Sequence, residues 1–529
     1  MKERSPSAAI LLTALFLTLT ANATFFVESS RVYPPGEHYA FLASLALVLL
    51  SATVFAMAML ALVLPLRLVL SAFLLMAAAA SYFTDHFGVI ISSEMLQNAL
   101  QTDAAEVRDL VTLPFILRMV FLGILPAALV WKLALLQSTW QQRLVRSGGL
   151  GLASLCLSAI VIFGFSESYA GFFRQHKALR TYTNPLTPLY SAIRYAVERA
   201  EDTSPQQLAK TAADAHVAEE ATEDRELVIL VVGETARRDR FALNGYARDT
   251  NPELSRETRL VSYDNIVSCG TSTAISVPCI FSEAGHDDFT VEGARQQENI
   301  LDILQRAGVS ILWRDNNSSS KGVADRVNYQ DFRHPDNNPV CDSECRDVGM
   351  LSGLQEYIDS QPGDILIVLH QMGNHGPAYF RRYPPEFEYF TPACQAKDLS
   401  ECSREEIDNA YDNAIRYTDY FLSRVIQLLK HNTPAYETAM LYVSDHGESL
   451  GEHGLYLHGA PWFIAPQEQV AVPVILWLGE SADIDLQDAL ALKDQRNSHD
   501  AIFYSLLAAF EIETRELEPG GTLFAGPRP

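Results

Sequence analysis

The stretch "TAMLYVSDHGES", residues 438–449, joins a run of apolar, β-prone residues to an abrupt series of charged ones. Asp445 and His446 come directly after the run. Three further stretches follow the same plan: "ELVILVVGE" at 226–234, "VSILWRDNN" at 309–317 and "DILIVLHQMGNHGP" at 364–377. Segments with helical spacing separate them, and strands that alternate with helices predict a largely parallel sheet covered on both faces. Residues 226–529 are therefore expected to form an α/β domain.

Polar side chains stand at the ends of these four predicted strands. Functional residues of such sheets collect at the carboxyl ends of the strands, which meet at one edge. The candidates at this edge are Glu234, Asp315, Asn316, Asn317, Ser318, Lys321, His375, Asp445 and His446, with Glu448, His453 and His458 in the loop that follows. Glu234 alone would also suit a helix start, and Asp445 a helix cap. Carboxylates and imidazoles together, however, favour a Zn²⁺ site.

The stretch "SCGTSTAISVPC", residues 268–279, encloses a run of hydroxyl residues between two cysteines. A hydroxyl is a weak nucleophile unless a base or a metal ion removes its proton, and a disulfide would fix the loop that presents it. If the loop starts a helix, its hydroxyls and amides also face any phosphate at the helix N-terminus. The candidates are Thr271, Ser272, Thr273 and Ser276, among which the residues alone do not decide. The alternative is a loop with capping roles only.

Six of the seven cysteines lie in the predicted α/β domain and fall into close pairs. An even set of cysteines in an exported domain predicts disulfides. The predicted pairs are Cys269–Cys279, Cys341–Cys345 and Cys394–Cys402. Free thiols or a zinc knot are the alternatives, but the C-x2-C spacing of zinc knots is absent from these pairs.

Long apolar runs dominate the first third of the 529-residue chain. Five of them are near or above the roughly 18-residue length that crosses a bilayer. These candidate spans are 8–27, 40–64, 66–83, 115–135 and 150–165. A cleaved signal peptide ending at "ANA" (21–23) is the alternative for the first run. We expect a membrane domain over 1–166, a membrane-skirting connector and linker over 167–225, and a catalytic domain over 226–529.

The charge distribution gives the orientation and excludes one class of partner. Lysine and arginine occupy the N-terminus and alternate short loops, which predicts that this side is cytoplasmic and that the α/β domain lies outside. The formal net charge is −24, with most of the excess acid in the α/β domain. Nucleic-acid binding is not expected, because phosphate backbones are bound by basic surfaces.

Long stretches of the chain resemble the signature blocks of the lipid A phosphoethanolamine transferases, the family that includes the mobile colistin-resistance enzymes. The blocks are "VVGETARRDRFALNGYARDTNP", "SCGTSTAISVPCIFS", "WRDNNSSSKG", "HQMGNHGPAY" and "SDHGESLGEHGLYLHG". The resemblance covers essentially the whole chain. It implies an α-helical membrane domain of five spans and an α/β periplasmic domain with the alkaline phosphatase and sulfatase fold.

The resemblance also assigns roles to residues. It implies that Thr273 is the nucleophile and that one firmly bound zinc ion is held by Glu234, Thr273, Asp445 and His446. His375 and His458 match positions for the substrate phosphate or a second, weaker zinc. The implied pocket for ethanolamine and phosphate is Asn317, Ser318 and Lys321. Asn98, Thr102 and Glu106, spaced to share one face of a helix, match a segment near the lipid headgroup, although the residues alone predict only an amphipathic surface helix.

The implied activity is a two-step transfer in the bacterial inner membrane. Phosphatidylethanolamine would donate phosphoethanolamine to Thr273, and a lipid A phosphate would then accept it. The change would lower the negative charge of lipopolysaccharide and confer resistance to polymyxin and colistin. The alternatives are transfer to a lipopolysaccharide core sugar, a hydrolase of the phosphatase or sulfatase type, and a non-catalytic membrane sensor. The five spans disfavour the hydrolase, and the complete ligand set disfavours the sensor. No oligomeric state is predicted.

Overall fold

The structure is a computed structural model that describes residues 4–101, 107, 110–136, 139–201, 208–218, 224–517 and 520–524. The chain divides into two compact units. The first comprises Met1–Leu96 and Val111–Glu201, and the second comprises Gln97–Leu110 and Asp202–Pro529.

The described residues between 4 and 201 are predominantly helical, as expected for apolar segments that must satisfy their backbone polar groups without water. The helices are α1 (Pro6–Thr20), α2 (Ala23–Val32), α3 (Pro35–Val63), α4 (Leu66–Phe87), α5 (Ser93–Gln101), α6 (Leu113–Lys132), α7 (Trp140–Gly164), α8 (Ser166–Gln175), α9 (Lys177–Thr181) and α10 (Leu186–Glu201).

Four of these helices, α3, α4, α6 and α7, are each long and apolar enough to cross a membrane. Helices α1 and α2 together form a fifth such segment if they are one span, but they are bent by 59°. The sequence predicts a single span over residues 8–27 here. The buried Asn22 explains the break, because its side-chain amide donates to the carbonyls of Leu17 and Asn184 at the point where the helical ladder stops.

The second unit contains an eight-stranded sheet and two small strand pairs. The strands are β1 (His216–Val217), β2 (Glu226–Gly233), β3 (Leu260–Val267), β4 (Ser310–Asp315), β5 (Asn328–Asp331), β6 (Ile365–His370), β7 (Glu437–Ser444), β8 (Ser449–Leu450), β9 (Tyr456–Leu457), β10 (Ala471–Leu478), β11 (Asn497–Ser498) and β12 (Ile512–Glu513). The large sheet has the order β11-β3-β10-β7-β2-β6-β4-β5. All its strands run in one direction except β10, which is antiparallel to both neighbours. The prediction of a largely parallel sheet is confirmed.

Helices cover both faces of this sheet. They are α11 (Thr273–Ile280), α12 (Gly285–Asp288), α13 (Val291–Gln296), α14 (Ile300–Ala307), α15 (Leu354–Ser360), α16 (Arg404–Asn432), α17 (Gln467–Val470), α18 (Leu486–Leu492) and α19 (Asp500–Ala509). The central strand β2 sends alternate residues into two buried cores, one containing residues of α14 and α19 and the other residues of α16. Burial on both faces explains why β2 is an uninterrupted apolar run rather than an alternating one.

The structure places part of the expected linker in the second unit. Strand β1 pairs with β12, and the buried Ala212 belongs to the core that contains α14. The hydroxyl of Thr211 also donates to the carbonyl of Glu298. The polar, alanine-rich composition of residues 201–225 indicates a linker, but the packing of residues 208–218 depends on distant partners that composition does not reveal.

Three disulfides join the six cysteines of the second unit in local pairs. They are Cys269–Cys279, Cys341–Cys345 and Cys394–Cys402. The remaining cysteine, Cys156 in α7, is a free thiol.

Candidate active site

Two neighbouring strands bring three buried ligand-type side chains together. Glu234 follows β2 directly, and Asp445 and His446 follow β7, which pairs with β2. All three side chains are fully buried, and one ligand atom from each lies within 4.8 Å of the others. His446 Nε2 is 3.4 Å from Glu234 Oε1 and 3.3 Å from Asp445 Oδ2.

Thr273 joins this cluster from a third element. It is the first residue of α11, and the loop before it leaves β3 at the same edge of the sheet. Its hydroxyl donates to Glu234 Oε2 at 3.1 Å and lies 3.4 Å from His446 Nε2. The amino end of α11 also provides the partial positive charge and free amides that favour a phosphate.

The other three hydroxyl candidates have different surroundings. Thr271 donates to the carbonyl of Ala460 at 2.7 Å. The buried hydroxyls of Ser272 and Ser276 have no hydrogen-bond partner among the described residues. Of the four candidates, therefore, Thr273 is the one in contact with the carboxylate and imidazole cluster.

The chemistry of the cluster fits a cation. His446 Nδ1 donates to the carbonyl of Gly447 at 2.9 Å, so Nε2 presents a lone pair to two carboxylates. Asp445 Oδ2 is buried and has no hydrogen-bond donor among the described residues. Burial and the charge of Glu234 raise the pKa of Asp445 well above its usual value, and burial lowers the pKa of His446 well below its own. A bound cation would offset the repulsion between these acceptors.

The spacing of these side chains is compatible with zinc. The contacts among Glu234, Thr273, Asp445 and His446 given above lie between 3.1 and 3.4 Å. Tetrahedral zinc with bonds of about 2.0–2.1 Å places neighbouring ligand atoms about 3.3 Å apart. These residues thus form a set that could hold zinc with little rearrangement.

A second group of buried side chains adjoins the first. His458 Nδ1 is hydrogen-bonded to Glu448 Oε2 at 2.9 Å, and the His458 ring lies 4.4 Å from the His446 ring between centroids. His375 lies 5.3 Å from His458 by the same measure. His446, Glu448 and His458 could together hold a metal ion. The hydroxyl of Tyr379, which the sequence patterns do not single out, donates to Glu448 at 2.9 Å and orients it.

The loop after β4 contributes side chains of two kinds. Asn317 donates from its amide to Glu234 Oε2 and to the carbonyl of Gln371, each at 2.7 Å, so it orients a candidate ligand. Lys321 donates to the hydroxyl of Ser318 at 2.6 Å and lines a cavity of about 580 Å³. Asn317 thus fixes Glu234, whereas Lys321 is a cation that lines a cavity.

One part of the predicted lipid site lies outside the described residues. Asn98 is in α5 and is buried. Thr102 and Glu106 belong to the part of the chain that the structure does not describe. The common helical face of these three residues stays a prediction.

Two motif residues that contribute no ligand atom, Thr235 and Gly373, have backbone conformations that account for their place in the motifs. Thr235 has φ +51°, a conformation that β-branched residues rarely adopt, and its amide donates to Asp445 at 3.1 Å. Gly373 has φ +53°, and a Cβ there would lie 2.9 Å from the carbonyl oxygen of Glu234. The first position brings a backbone amide to the Asp445 carboxylate, and the second packs backbone against the backbone of Glu234.

Two histidines near the site escape sequence reasoning. His286 and His499 hydrogen-bond the carbonyl and the amide of Cys269 at 2.8 and 3.1 Å, respectively. His499 follows β11, which has two residues and is too short to show a strand pattern. No sequence pattern marks His499, and its burial beside the Cys269–Cys279 disulfide is seen only in the structure.

Comparisons with known proteins agree with this geometry. Residues 48–200 match a family model described as phosphoethanolamine transferase EptA/EptB, and residues 226–512 match the sulfatase model. The chain is 46% identical over 519 residues to the phosphatidylethanolamine transferase Mcr-1 of Escherichia coli, covering 96% of this chain and 95% of that protein. The chain belongs to the phosphoethanolamine transferase family. The predicted resemblance is thereby confirmed.

Other members of the transferase family extend the similarity to the whole structure. The phosphoethanolamine transferase EptA of Escherichia coli (strain K12) is 37% identical, covering 96% of this chain and 94% of that protein. The solved integral membrane protein lipooligosaccharide phosphoethanolamine transferase A (EptA) from Neisseria meningitidis matches with a TM-score of 0.94, 32% identity and complete coverage of both chains. The membrane helices and the α/β domain of this transferase therefore follow the family architecture.

Proposed function

We propose that this chain transfers phosphoethanolamine from phosphatidylethanolamine to a phosphate group of lipid A, with Thr273 as the nucleophile. The observation that carries the assignment is the position of the Thr273 hydroxyl. It lies at the start of a helix, 3.1 Å from Glu234 and 3.4 Å from His446, in a buried cluster. Membership of the phosphoethanolamine transferase family supports the reaction class.

In the first step, Thr273 Oγ1 attacks the phosphorus of the donor. The bond from oxygen to phosphorus forms as the bond from phosphorus to the glycerol oxygen breaks. Glu234 Oε2, which accepts the Thr273 hydrogen bond, is placed to take the threonine proton. His375 or His458 supplies a proton to the departing diacylglycerol. The product is a phosphoethanolamine ester of Thr273.

In the second step, a lipid A phosphate gives its proton to the histidine that protonated diacylglycerol, and its oxygen attacks the phosphorus of that ester. Thr273 leaves and takes back the proton that Glu234 holds. The ammonium of Lys321 and the amino end of α11 offset charge on the phosphoryl oxygens in both steps. Ser318 orients Lys321 through their hydrogen bond, and Asn317 orients Glu234.

The residues that would hold one zinc ion are Glu234, Thr273, Asp445 and His446. A bound zinc ion lowers the pKa of a neighbouring hydroxyl and stabilises negative charge on phosphoryl oxygens. We assign His375 and His458 to the substrate phosphate or to a second, weaker zinc.

We further propose five membrane spans within residues 1–166, a connector over 167–225 and a periplasmic catalytic domain over 226–529, in a bacterial inner membrane. Helix α10 exposes Tyr190, Ile193 and Val197, which suit a membrane interface. The spans keep the enzyme in the same membrane as both lipid substrates, which replaces diffusion from bulk water. Near the headgroups we place Asn98, Thr102 and Glu106. The added ethanolamine would lower the negative charge of lipopolysaccharide and confer polymyxin resistance.

A hydrolase is the second candidate, because residues 226–512 match the sulfatase model. Intact-protein mass spectrometry after incubation with phosphatidylethanolamine distinguishes the two. A transferase without acceptor should accumulate phosphoethanolamine on Thr273, whereas a hydrolase would release it to water continuously. Transfer to a core sugar would be recognised by the position of the modification on lipopolysaccharide.

Variants make this test specific to one hydroxyl. Thr273→Ala should form no adduct, and Thr273→Ser should form it more slowly, because a primary hydroxyl remains. Ser276→Ala is the matched control: it removes another buried hydroxyl from the same helix, one without a hydrogen-bond partner among the described residues, and should form the adduct normally. An adduct on Thr273→Ala protein would show that another residue is the nucleophile.

A further inference from the structure

Two loops must keep a fixed relative position for the proposed reaction: the loop that carries Thr273 and the loop that carries Asp445 and His446. We define the first as residues 268–273, from the end of β3 to the start of α11, and the second as residues 444–446, which begin at the last residue of β7. Strand β10 lies between β3 and β7 and runs in the opposite direction. The two loops are therefore not attached to paired strands, although the chemistry requires Thr273 to stay in contact with His446.

His499 bridges these two loops from the edge of the sheet. Its backbone amide donates to the carbonyl of Val267, at the end of β3, at 3.1 Å. Its Nδ1 accepts from the amide of Cys269 at 3.1 Å, and its Nε2 donates to the carbonyl of Ser444 at 2.9 Å. The side chain is fully buried, so water cannot replace either bond.

The bridge continues into the rest of the cluster. The hydroxyl of Ser444 accepts from the amide of Ala236 at 2.8 Å and donates to the carbonyl of His446 at 2.9 Å. A displacement of the Ser444 backbone would therefore be felt at the ends of both β2 and β7. His499 connects this network to the loop of Thr273 through the backbone, in addition to the contacts of the Thr273 hydroxyl itself.

The two ring nitrogens have opposite roles, which fixes the tautomer. Nδ1 must be an acceptor because its partner is an amide N–H, and Nε2 must carry the proton because its partner is a carbonyl. Burial lowers the pKa of His499 to about 4, in keeping with a neutral ring.

We propose that His499 is a positioning residue that holds the Thr273 loop in register with the Asp445–His446 loop for phosphoryl transfer. The inference rests on the proposed function, since it assumes that Thr273 attacks phosphorus. It does not place His499 in contact with substrate. Loss of the bridge should displace the nucleophile and lower kcat, while the KM for phosphatidylethanolamine, set by other residues, stays unchanged.

Three substitutions separate the two hydrogen bonds. His499→Asn keeps an acceptor near the position of Nδ1 but loses the donor to Ser444. His499→Gln can keep a donor near the position of Nε2 but loses the acceptor for Cys269. His499→Ala loses both and should reduce the rate of adduct formation about 10²-fold, the effect expected when a reacting group shifts by about 1 Å. The two conservative variants should lie between alanine and wild type.

Tyr263→Phe is the matched control. It removes another buried hydrogen bond from a side chain to a backbone carbonyl, that of Tyr263 to Leu523 at 2.7 Å, and it lies on β3 itself. It should cost similar stability but leave kcat unchanged, because neither bonded group belongs to the two loops.

The experiment uses the full-length protein in detergent. For each variant we would measure the zinc content, the melting temperature, single-turnover adduct formation on Thr273, and hydrogen–deuterium exchange of peptides covering 268–273. The expected result is faster exchange in this loop and a lower kcat for His499→Ala, with zinc retained. Adduct formation at the wild-type rate by His499→Ala, or an equal loss in Tyr263→Phe, would overturn the inference. If His499→Ala does not fold, wild-type rates in both His499→Asn and His499→Gln would overturn it. Absence of the adduct in wild type would instead overturn the proposed nucleophile.

Discussion

Replacing Asp445 by asparagine should stabilise the metal-free protein and remove most of the stabilisation that zinc gives to wild type. Asp445 is fully buried beside Glu234, and its Oδ2 has no donor among the described residues. Without a cation, the Asp445 charge is uncompensated. The folded protein must keep this charge beside Glu234 or neutralise it with a proton that the unfolded chain does not hold, and either lowers stability. The asparagine side chain would remove that charge and offer an N–H to His446 Nε2, which lies 3.3 Å from Asp445 Oδ2. The metal-free protein should therefore become more stable.

The magnitude follows from the burial of the group. An uncompensated buried charge costs about 3–5 kcal/mol, so we expect Asp445→Asn to stabilise the metal-free protein by about 3 kcal/mol. At roughly 2 °C per kcal/mol for a domain of this size, the melting temperature should rise by roughly 6 °C. Wild type should gain about 2.7 kcal/mol from zinc at one hundred times its dissociation constant, and the variant should lose most of that gain.

The assay is thermal unfolding of the full-length protein in detergent, with chelator and across a zinc titration. Asp412→Asn is the matched control, since Asp412 is also fully buried but is compensated by Arg248 at 2.6 Å and by the Tyr246 hydroxyl at 2.9 Å. It should destabilise the protein by about 3 kcal/mol in both conditions. If Asp445→Asn destabilises the chelated protein and keeps the zinc-dependent shift, Asp445 is not a ligand.

Three other predictions concern the periplasmic domain. The disulfide between Cys269 and Cys279 closes a short loop of sequence separation 10, so removing it should cost at most about 3 kcal/mol of stability but lower transfer by about tenfold or more. Melting curves and lipid analysis test this. A large loss of stability with normal transfer would contradict it. Burial and nearby acids, above all Glu437, raise the pKa of Glu226 to about 10. The folded state thus keeps a proton that the unfolded chain releases above about pH 4.5, so stability should fall as pH rises from about 4.5 to about 10. Glu226→Gln should raise the free energy of unfolding by about 1–3 kcal/mol at pH 8. An unchanged pH slope in the variant's unfolding curves would count against this. A fragment of residues 208–529 should fold alone and form the adduct on a short-chain donor but fail to modify lipid A in cells, and normal modification by the fragment would show that the spans have another purpose.

The sequence predicts the central part of the site because two simple patterns coincide there. An apolar run long enough for a strand, followed at once by a charged residue, marks Glu234, Asp445 and His446. The rule that parallel strands end at one edge then brings them together without any knowledge of strand order. From the sequence, the choice of Thr273 among four hydroxyls required the family resemblance, because all four lie in one short stretch between two cysteines.

Other features depend on contacts that no local pattern encodes. The direction of β10 is invisible in "AVPVILWL", since an apolar run is the same in a parallel or an antiparallel neighbour. The role of His499 depends on a two-residue edge strand and on partners 230 and 55 positions away. The break between α1 and α2 likewise depends on the contact of Asn22 with Asn184, which is 162 positions distant.

Mass spectrometry of lipid A tests the central claim most directly. Cells that make the full-length protein should carry lipid A with phosphoethanolamine on a phosphate group. Cells that make equal amounts of membrane-inserted Thr273→Ala should carry unmodified lipid A. Unmodified lipid A in cells with the wild-type protein would contradict the proposed acceptor, and modified lipid A in cells with Thr273→Ala would contradict the proposed nucleophile.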